Sequence, residues 1–409
     1  MGGGLNAEAG EIEWRSQHAG DHAAMAYLDW NATAPLRPEA RAAWLAAQED
    51  AWGNPASVHA EGQRARDCLD RSLAACAAAL GCRAHELVLV SGGTEANATA
   101  IHAAVAAARE RLVAAPTVLA AASEHSSVLA NAAAHARLVE LPVDGDGLLA
   151  PAALAAADDD TALVCLQFAN NETGVRQDLP ALVAEARRRA PRALLLVDCC
   201  QGAGKAELDL AALGCDFASI AGHKLGAPKG VGLLYVRTGL RPAPLIAGGR
   251  QQQDRRSGTE DPALAAALAA ALAAAVAALA AEEPRQRALR DGFEQAVRAR
   301  LPAVRVLGAG APRLANTSCL VHPGVDGRQL VQRLDLAGFQ VSTGAACRAA
   351  RGQPSHVVAA LGLVPALARS ALRVSLGWRT TAAEVEAAAA GYAAAVAALA
   401  GGGPDARPA

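Results

Sequence analysis

A chain of 409 residues exceeds what one compact core usually supports, so two domains around a large apolar interior are expected. Hydrophobic residues make up 52% and charged residues 19% with a formal net charge of −2, which excludes disordered and collagen-like classes. No Lys/Arg stripe with interleaved aromatics marks a nucleic-acid or lipid-headgroup surface, so small molecules and proteins are the expected partners.

The first 26 residues read as a flexible extension, because Gly2 to Asp21 is a polar mixture without the basic and apolar regions of a secretory signal. From Leu28 to about Val236, short apolar runs alternate with Ala-rich helical stretches, the pattern of strand–helix units in a mainly parallel sheet. The predicted strands are Glu86–Val90, Val118–Ala121, Ala162–Phe168, Ala193–Val197, Phe217–Ile220 and Gly232–Val236. Several are too uniformly apolar to face water on either side. Pro262 to Ala281 is apolar enough to cross a bilayer, but it is mostly alanine and is bracketed by Asp261, Glu282, Glu283 and Pro284, so a buried helix is preferred. Short strands at Arg305–Leu307 and Thr317–Val321 and a final helical run then suggest a smaller α+β unit, and the Gly/Pro-rich tail from Gly401 to Ala409 reads as disordered. Nine cysteines, an odd number without a Cys-x-x-Cys pair, fit neither a disulfide framework nor a structural zinc site; reduced cytoplasmic thiols are the simpler reading.

In open α/β sheets, ligands gather beyond the carboxyl ends of the strands. The polar residues fall there: Ser91-Gly92-Gly93-Thr94-Glu95, Glu124-His125, Asn170-Asn171-Glu172, Asp198 and His223-Lys224 each follow a strand. Gly92-Gly93-Thr94 opens a helix running from about Glu95 to Ala108, an arrangement suited to phosphate, although many such turns bind nothing. Asp198 ends a buried apolar run and either faces a cation or caps the next helix. Lys224 is either a surface lysine in a Gly-rich loop or an amine nucleophile, which needs a partly buried setting or a cationic neighbour to bring its pKa down from about 10.4. A phosphate cradle, a buried carboxylate for a pyridinium nitrogen and an imine-forming lysine together are the parts of a pyridoxal phosphate site.

Ordered motifs from Leu28 to roughly Arg379 resemble the cysteine desulfurases of the class V aminotransferase group. They include Leu28-Asp29-Trp30-Asn31-Ala32-Thr33, Trp52-Gly53-Asn54-Pro55-Ala56-Ser57, Ser91-Gly92-Gly93-Thr94-Glu95, Asn170-Asn171-Glu172-Thr173-Gly174, Val197-Asp198, Gly222-His223-Lys224 and Arg255-Arg256-Ser257-Gly258-Thr259. The resemblance implies a fold type I pyridoxal-phosphate-dependent transferase of the α/β class. Its large coenzyme domain would span residues 38–261, with a mainly parallel central sheet, and its smaller α+β domain would combine 27–37 with 262–400, leaving 401–409 as a tail.

By position, the resemblance makes Lys224 the Schiff-base lysine, Asp198 the partner of the pyridinium nitrogen and Gln201 the donor to the phenolic oxygen. His125 resembles the histidine that stacks on the coenzyme ring and moves protons. Gly93, Thr94 and His223 fall at the phosphate. Thr259 resembles the threonine that reaches the phosphate of the neighbouring subunit, which implies a homodimer. Asn171 and Arg373 match the residues that hold the substrate carboxylate, a task suited to a guanidinium fork. Ala221 stands where many relatives carry a serine that donates to the phosphate.

Cys347, in Val341-Ser342-Thr343-Gly344-Ala345-Ala346-Cys347-Arg348, separates a desulfurase from a plain aminotransferase. A lone cysteine is commonly a small core residue. In this motif, the resemblance makes it the acceptor of sulfur from L-cysteine, and the segment after it is similar to the long-loop branch of iron–sulfur-cluster and nitrogen-fixation enzymes. A sulfur-acceptor protein, such as an iron–sulfur scaffold, is then an expected partner. A selenocysteine lyase, a class V aminotransferase on the same scaffold and a non-catalytic partner-binding dimer are the alternatives.

Overall fold

A computed structural model describes residues 25–344 and 355–401. Its central sheet has seven strands in the order β2-β8-β7-β6-β5-β3-β4, with β2 at Leu87–Val90, β3 at Thr117–Ala121, β4 at Arg137–Leu141, β5 at Thr161–Gln167, β6 at Leu194–Asp198, β7 at Phe217–Ala221 and β8 at Gly232–Val236. Pairing is parallel from β4 through β7, and β8 runs antiparallel to both β7 and β2. All strands but β8 therefore point the same way. Their carboxyl ends share one rim.

Successive strand residues face opposite sides, and helices cover both. Leu119, Val164, Leu195, Val197 and Ile220 pack with the helix α2 (Ala60–Leu80) and with Leu268 and Leu272 of the long helix Pro262–Arg300. On the other side, Val118, Leu163, Leu196 and Phe217 pack with Ala96, Ala100, Ile101 and Val105 of α3 (Gly93–Glu110). Burial on both faces explains why these strands are legible as apolar runs. The edge strand β4 has no such signature in the sequence, because Arg137 and Glu140 are exposed and break the pattern.

A second core forms around an antiparallel three-stranded sheet, β12-β10-β9, of Leu372–Ser375, Thr317–Val321 and Arg305–Val306. Beside it, β1 (Ala26–Tyr27) pairs in parallel with β11 (Phe339–Gln340). The long helix joins the two cores: Ala265 to Leu272 belong to the first, and Phe293 and Val297 to the second.

That helix corrects an expected boundary, because it continues through Pro284 to Arg300 instead of stopping near Ala281. A proline inside a helix removes one hydrogen bond. Here the following turns are held by Arg285, which donates to the carbonyls of Gly377 and Thr380, and by Arg290, which donates to that of Leu314. By length and composition alone, the Pro262–Arg300 and Ala382–Ala400 helices are apolar enough to cross a membrane; in the fold the first buries Ala265, Leu268 and Leu272 against the central sheet.

Candidate active site

At the shared rim lies a cavity of about 390 Å³. It is lined by Gly93, Thr94, His125, Asn171, Asp198, Gln201, His223, Lys224 and Arg373, which come from six separate stretches of chain. Parallel strands deliver five of those stretches. The sixth, Arg373, comes from β12 in the smaller sheet, so the cavity is closed by residues of both sheets.

Asp198 ends β6 and is 6% exposed. Its Oδ1 accepts the Cys200 backbone N–H at 2.9 Å, and its Oδ2 accepts from Asn97 Nδ2 at 2.9 Å. Asn97 stands one helical turn after Thr94 on α3 and also donates to Ser127 Oγ at 3.0 Å. At the start of α3, Gly93 has no room for a side chain, because a Cβ there would lie 2.4 Å from Cys200 Sγ. Glycine therefore brings the helix N-terminus against the cavity wall.

His125 caps α4 (Ser126–His135), its Nδ1 accepting the Ser127 backbone N–H at 3.1 Å. A neutral ring bonded this way carries its proton on Nε2. Burial, and after it the Lys224 ammonium, hold this ring below the usual histidine range. Immediately before it, Glu124 is fully buried, and burial followed by the Asp198 carboxylate pushes its carboxyl well above the usual range.

Lys224 closes a 3-10 turn, Gly222–Lys224, that leaves the end of β7 next to Asp198's strand. Its neighbour His223 approaches Thr33 Oγ1 at 3.2 Å. Burial, then Lys224, Lys229 and Lys205, push the His223 ring down to about 4. Ala221 also lines the cavity, whereas Ser219 is fully buried with its Oγ 3.7 Å from Cys200 Sγ. Arg373, 3% exposed, donates from Nη1 to the Asn171 carbonyl at 3.0 Å and pairs through Nη2 with Asp29.

Two expected site residues stand apart. Thr259 is exposed and lines a separate depression with Trp52, Gly53 and Asn54. Cys347 lies outside the described residues, but Gly344 and His356, on either side of the segment that carries it, both line the main cavity. Glu95, in the first turn of α3 after β2, pairs with Arg256 and accepts the Ser91 N–H. Asp29, Asn97, Cys200 and Lys205 were not among the expected site residues. Asn97 could have been found from the sequence, since positions 94 and 97 share a helix face.

The class V aminotransferase family model matches residues 26–388. A cysteine desulfurase of Cereibacter sphaeroides is 40% identical over 368 residues, covering 88% of this chain and 92% of the relative. An IscS-like cysteine desulfurase of Mycobacterium tuberculosis is 37% identical over 373 residues, covering 89% and 94%. Among solved structures, one described as a NifS-like protein superposes with a TM-score of 0.83 at 27% identity, covering 91% of this chain and 99% of its own.

Members of this family use pyridoxal phosphate, and the donor set fits that group. An oriented buried carboxylate suits a ring nitrogen, an amine faces the same cavity, and a glycine-opened helix N-terminus suits a phosphate. The chain belongs to the class V aminotransferase family of fold type I pyridoxal-phosphate enzymes, within which the curated relatives it matches are cysteine desulfurases.

Proposed function

We propose that this protein removes sulfur from L-cysteine, releasing L-alanine and leaving the sulfur as a persulfide on Cys347. The observation that carries the reading is that Lys224 and Asp198, at the ends of adjacent strands, line one cavity with His125 and Arg373. Lys224 is the amine that would hold the coenzyme aldehyde; Asp198 would meet its ring nitrogen, Gln201 its phenolic oxygen, and Gly93, Thr94 and His223 its phosphate. When bound, pyridoxal phosphate supplies an electron sink for charge developing at the substrate α-carbon.

The other tasks fall to the chain. Arg373 and Asn171 orient the substrate carboxylate, which fixes the α-carbon relative to Lys224. Lys224 and His125 move protons, and the neutral His125 ring, with Nδ1 tied to Ser127, presents Nε2 for this purpose. Cys347 attacks the substrate sulfur as a thiolate; a free thiol has a pKa of about 8.5, so a cation such as Arg348, or His125 once it has taken up a proton, would assist its ionisation. The cavity-lining positions of Gly344 and His356 support this role.

A homodimer fits the exposure of Thr259 beside Trp52, which is itself 68% exposed. A sulfur-acceptor protein, such as an iron–sulfur scaffold, would take the persulfide, as the IscS-like name of one relative suggests. Free thiols at all eight cysteines among the described residues fit a cytoplasmic location.

The test is to supply L-cysteine and a reducing thiol to the coenzyme-loaded protein and measure alanine and sulfide. Equal amounts are expected, and Cys347→Ser should abolish both while keeping the visible absorbance. Sulfide release by Cys347→Ser at the normal rate overturns the role of Cys347. Turnover of selenocysteine but not cysteine, or keto acid formation from alanine, would replace the reading with a lyase or an aminotransferase.

A further inference from the structure

Behind the cavity wall is a partly buried lysine that the chemistry above leaves unused. Lys205 Nζ donates to Gln201 Oε1 at 2.6 Å and to Asn31 Oδ1 at 2.9 Å. Both acceptors are neutral amide oxygens. Burial, followed by Lys224 and Arg373, drives its ammonium well below the ordinary lysine range. Even as a neutral amine, Lys205 keeps two N–H donors for its two acceptors.

The contacts of Gln201 are directional. Its Nε2 donates to the Asn31 carbonyl at 3.0 Å, while its Oε1 faces Lys205. Rotating the amide by half a turn would set its oxygen against the Asn31 carbonyl, a repulsion, and would take away the acceptor that the Lys205 Nζ–H now holds. Asn31 is locked in turn. Its Oδ1 accepts from Asn316 Nδ2 at 3.0 Å and its Nδ2 donates to Thr317 Oγ1 at 2.8 Å. With Oε1 held by Lys205 and one N–H held by Asn31, the second N–H is what Gln201 offers the cavity it lines.

We propose that Lys205 is a positioning residue that fixes the Gln201 carboxamide with its N–H, rather than its oxygen, toward the coenzyme. The proposal rests on the reading of the cavity as a coenzyme site. Gln201 alone could present either end. A backing amine selects the donor, which an anionic phenolic oxygen requires.

The experiment is a double-mutant cycle on the coenzyme-loaded protein, with Lys205→Met, Gln201→Leu and both, read as the pH midpoint of the visible coenzyme band. Thermal unfolding of each coenzyme-free variant serves as a check on folding. Lys205→Met is expected to move the midpoint by about 0.5 unit or more, the size of one hydrogen bond, in the same direction as Gln201→Leu. The double variant should match Gln201→Leu alone. A wild-type midpoint in Lys205→Met, an unmoved midpoint in Gln201→Leu, or shifts that add in the double variant would overturn the proposal. If Lys205→Met does not fold, Lys205→Leu takes its place in the cycle, and the same shifts support or overturn the proposal. Failure of the wild-type protein to take up pyridoxal phosphate would instead refute the functional reading.

Discussion

The Asp29 carboxylate pairs with the Arg373 guanidinium at the cavity wall, so the arginine assigned to the substrate already carries a counter-ion. Its other end is fixed by the Asn171 carbonyl. A planar fork can satisfy both and still direct N–H groups at a third acceptor, which a lysine cannot do in the same geometry. Arg373→Lys should therefore raise KM for L-cysteine by about tenfold or more, the loss of one charge-assisted bond, with a smaller fall in kcat. Steady-state kinetics check this; an unchanged KM would remove Arg373 from substrate binding.

Removing the amine gives the sharpest result. Lys224→Ala should fold, because Lys224 ends a short turn at the cavity rather than filling a core. It should lose desulfuration by about a thousandfold or more, the scale on which a covalent or acid–base group acts. Borohydride treatment of the coenzyme-loaded protein should attach the coenzyme to the wild type but not to this variant, as mass spectrometry would read.

Asp198 depends on two donors for its orientation, of which one is a side chain. Asn97→Ala deletes that bond and opens a gap beside the carboxylate. Hydrogen bonds to charged groups contribute about 1.5–3 kcal/mol, so coenzyme affinity should fall by roughly ten- to a hundredfold. Equilibrium dialysis of pyridoxal phosphate measures this directly, and wild-type affinity would show the contact to be dispensable.

Gly93 and Cys200 compete for one space. A methyl group at position 93 would meet the Cys200 sulfur at 2.4 Å, so Gly93→Ala should overpack the cradle and cost about 1–3 kcal/mol in thermal unfolding. Cys200→Ala removes the clashing atom. Adding it to Gly93→Ala should restore most of the lost stability, a coupling that independent sites would not display.

His223 confers a pH dependence with a defined sign on the coenzyme-free protein. Its ring titrates at about 4 when folded and near 6.5 when unfolded. Between those values the unfolded chain binds a proton that the folded chain does not, so this contribution to stability is present above about 6.5 and is lost as pH falls toward 4. His125, also lowered, acts in the same direction. His223→Asn should flatten the decline of Tm between pH 6.5 and 4, and an identical slope in the variant would place the effect elsewhere.

The sequence by itself determined the strands that are buried on both faces, since β2, β5 and β7 have no solvent-facing side and so carry no charged residue in their largely apolar runs. It also placed Asp198 and Lys224 at strand ends, where a parallel sheet turns chain order into a common rim. Elements with a mixed environment were less legible: β4, at an edge, has exposed Arg137 and Glu140 around half-buried Leu138 and Val139, and the Pro262–Arg300 helix runs through Pro284 because contacts in two cores outweigh one lost hydrogen bond. Only the tertiary structure decided which side chains hold the site residues in place. Asn97 reaches Asp198 across 101 positions, Asp29 meets Arg373 across 344, and Lys205 can orient Gln201 only because Asn31, 170 positions from that glutamine, holds the other end of its amide. Such contacts leave no periodic trace, because each depends on two distant segments arriving at one point rather than on the local spacing of either.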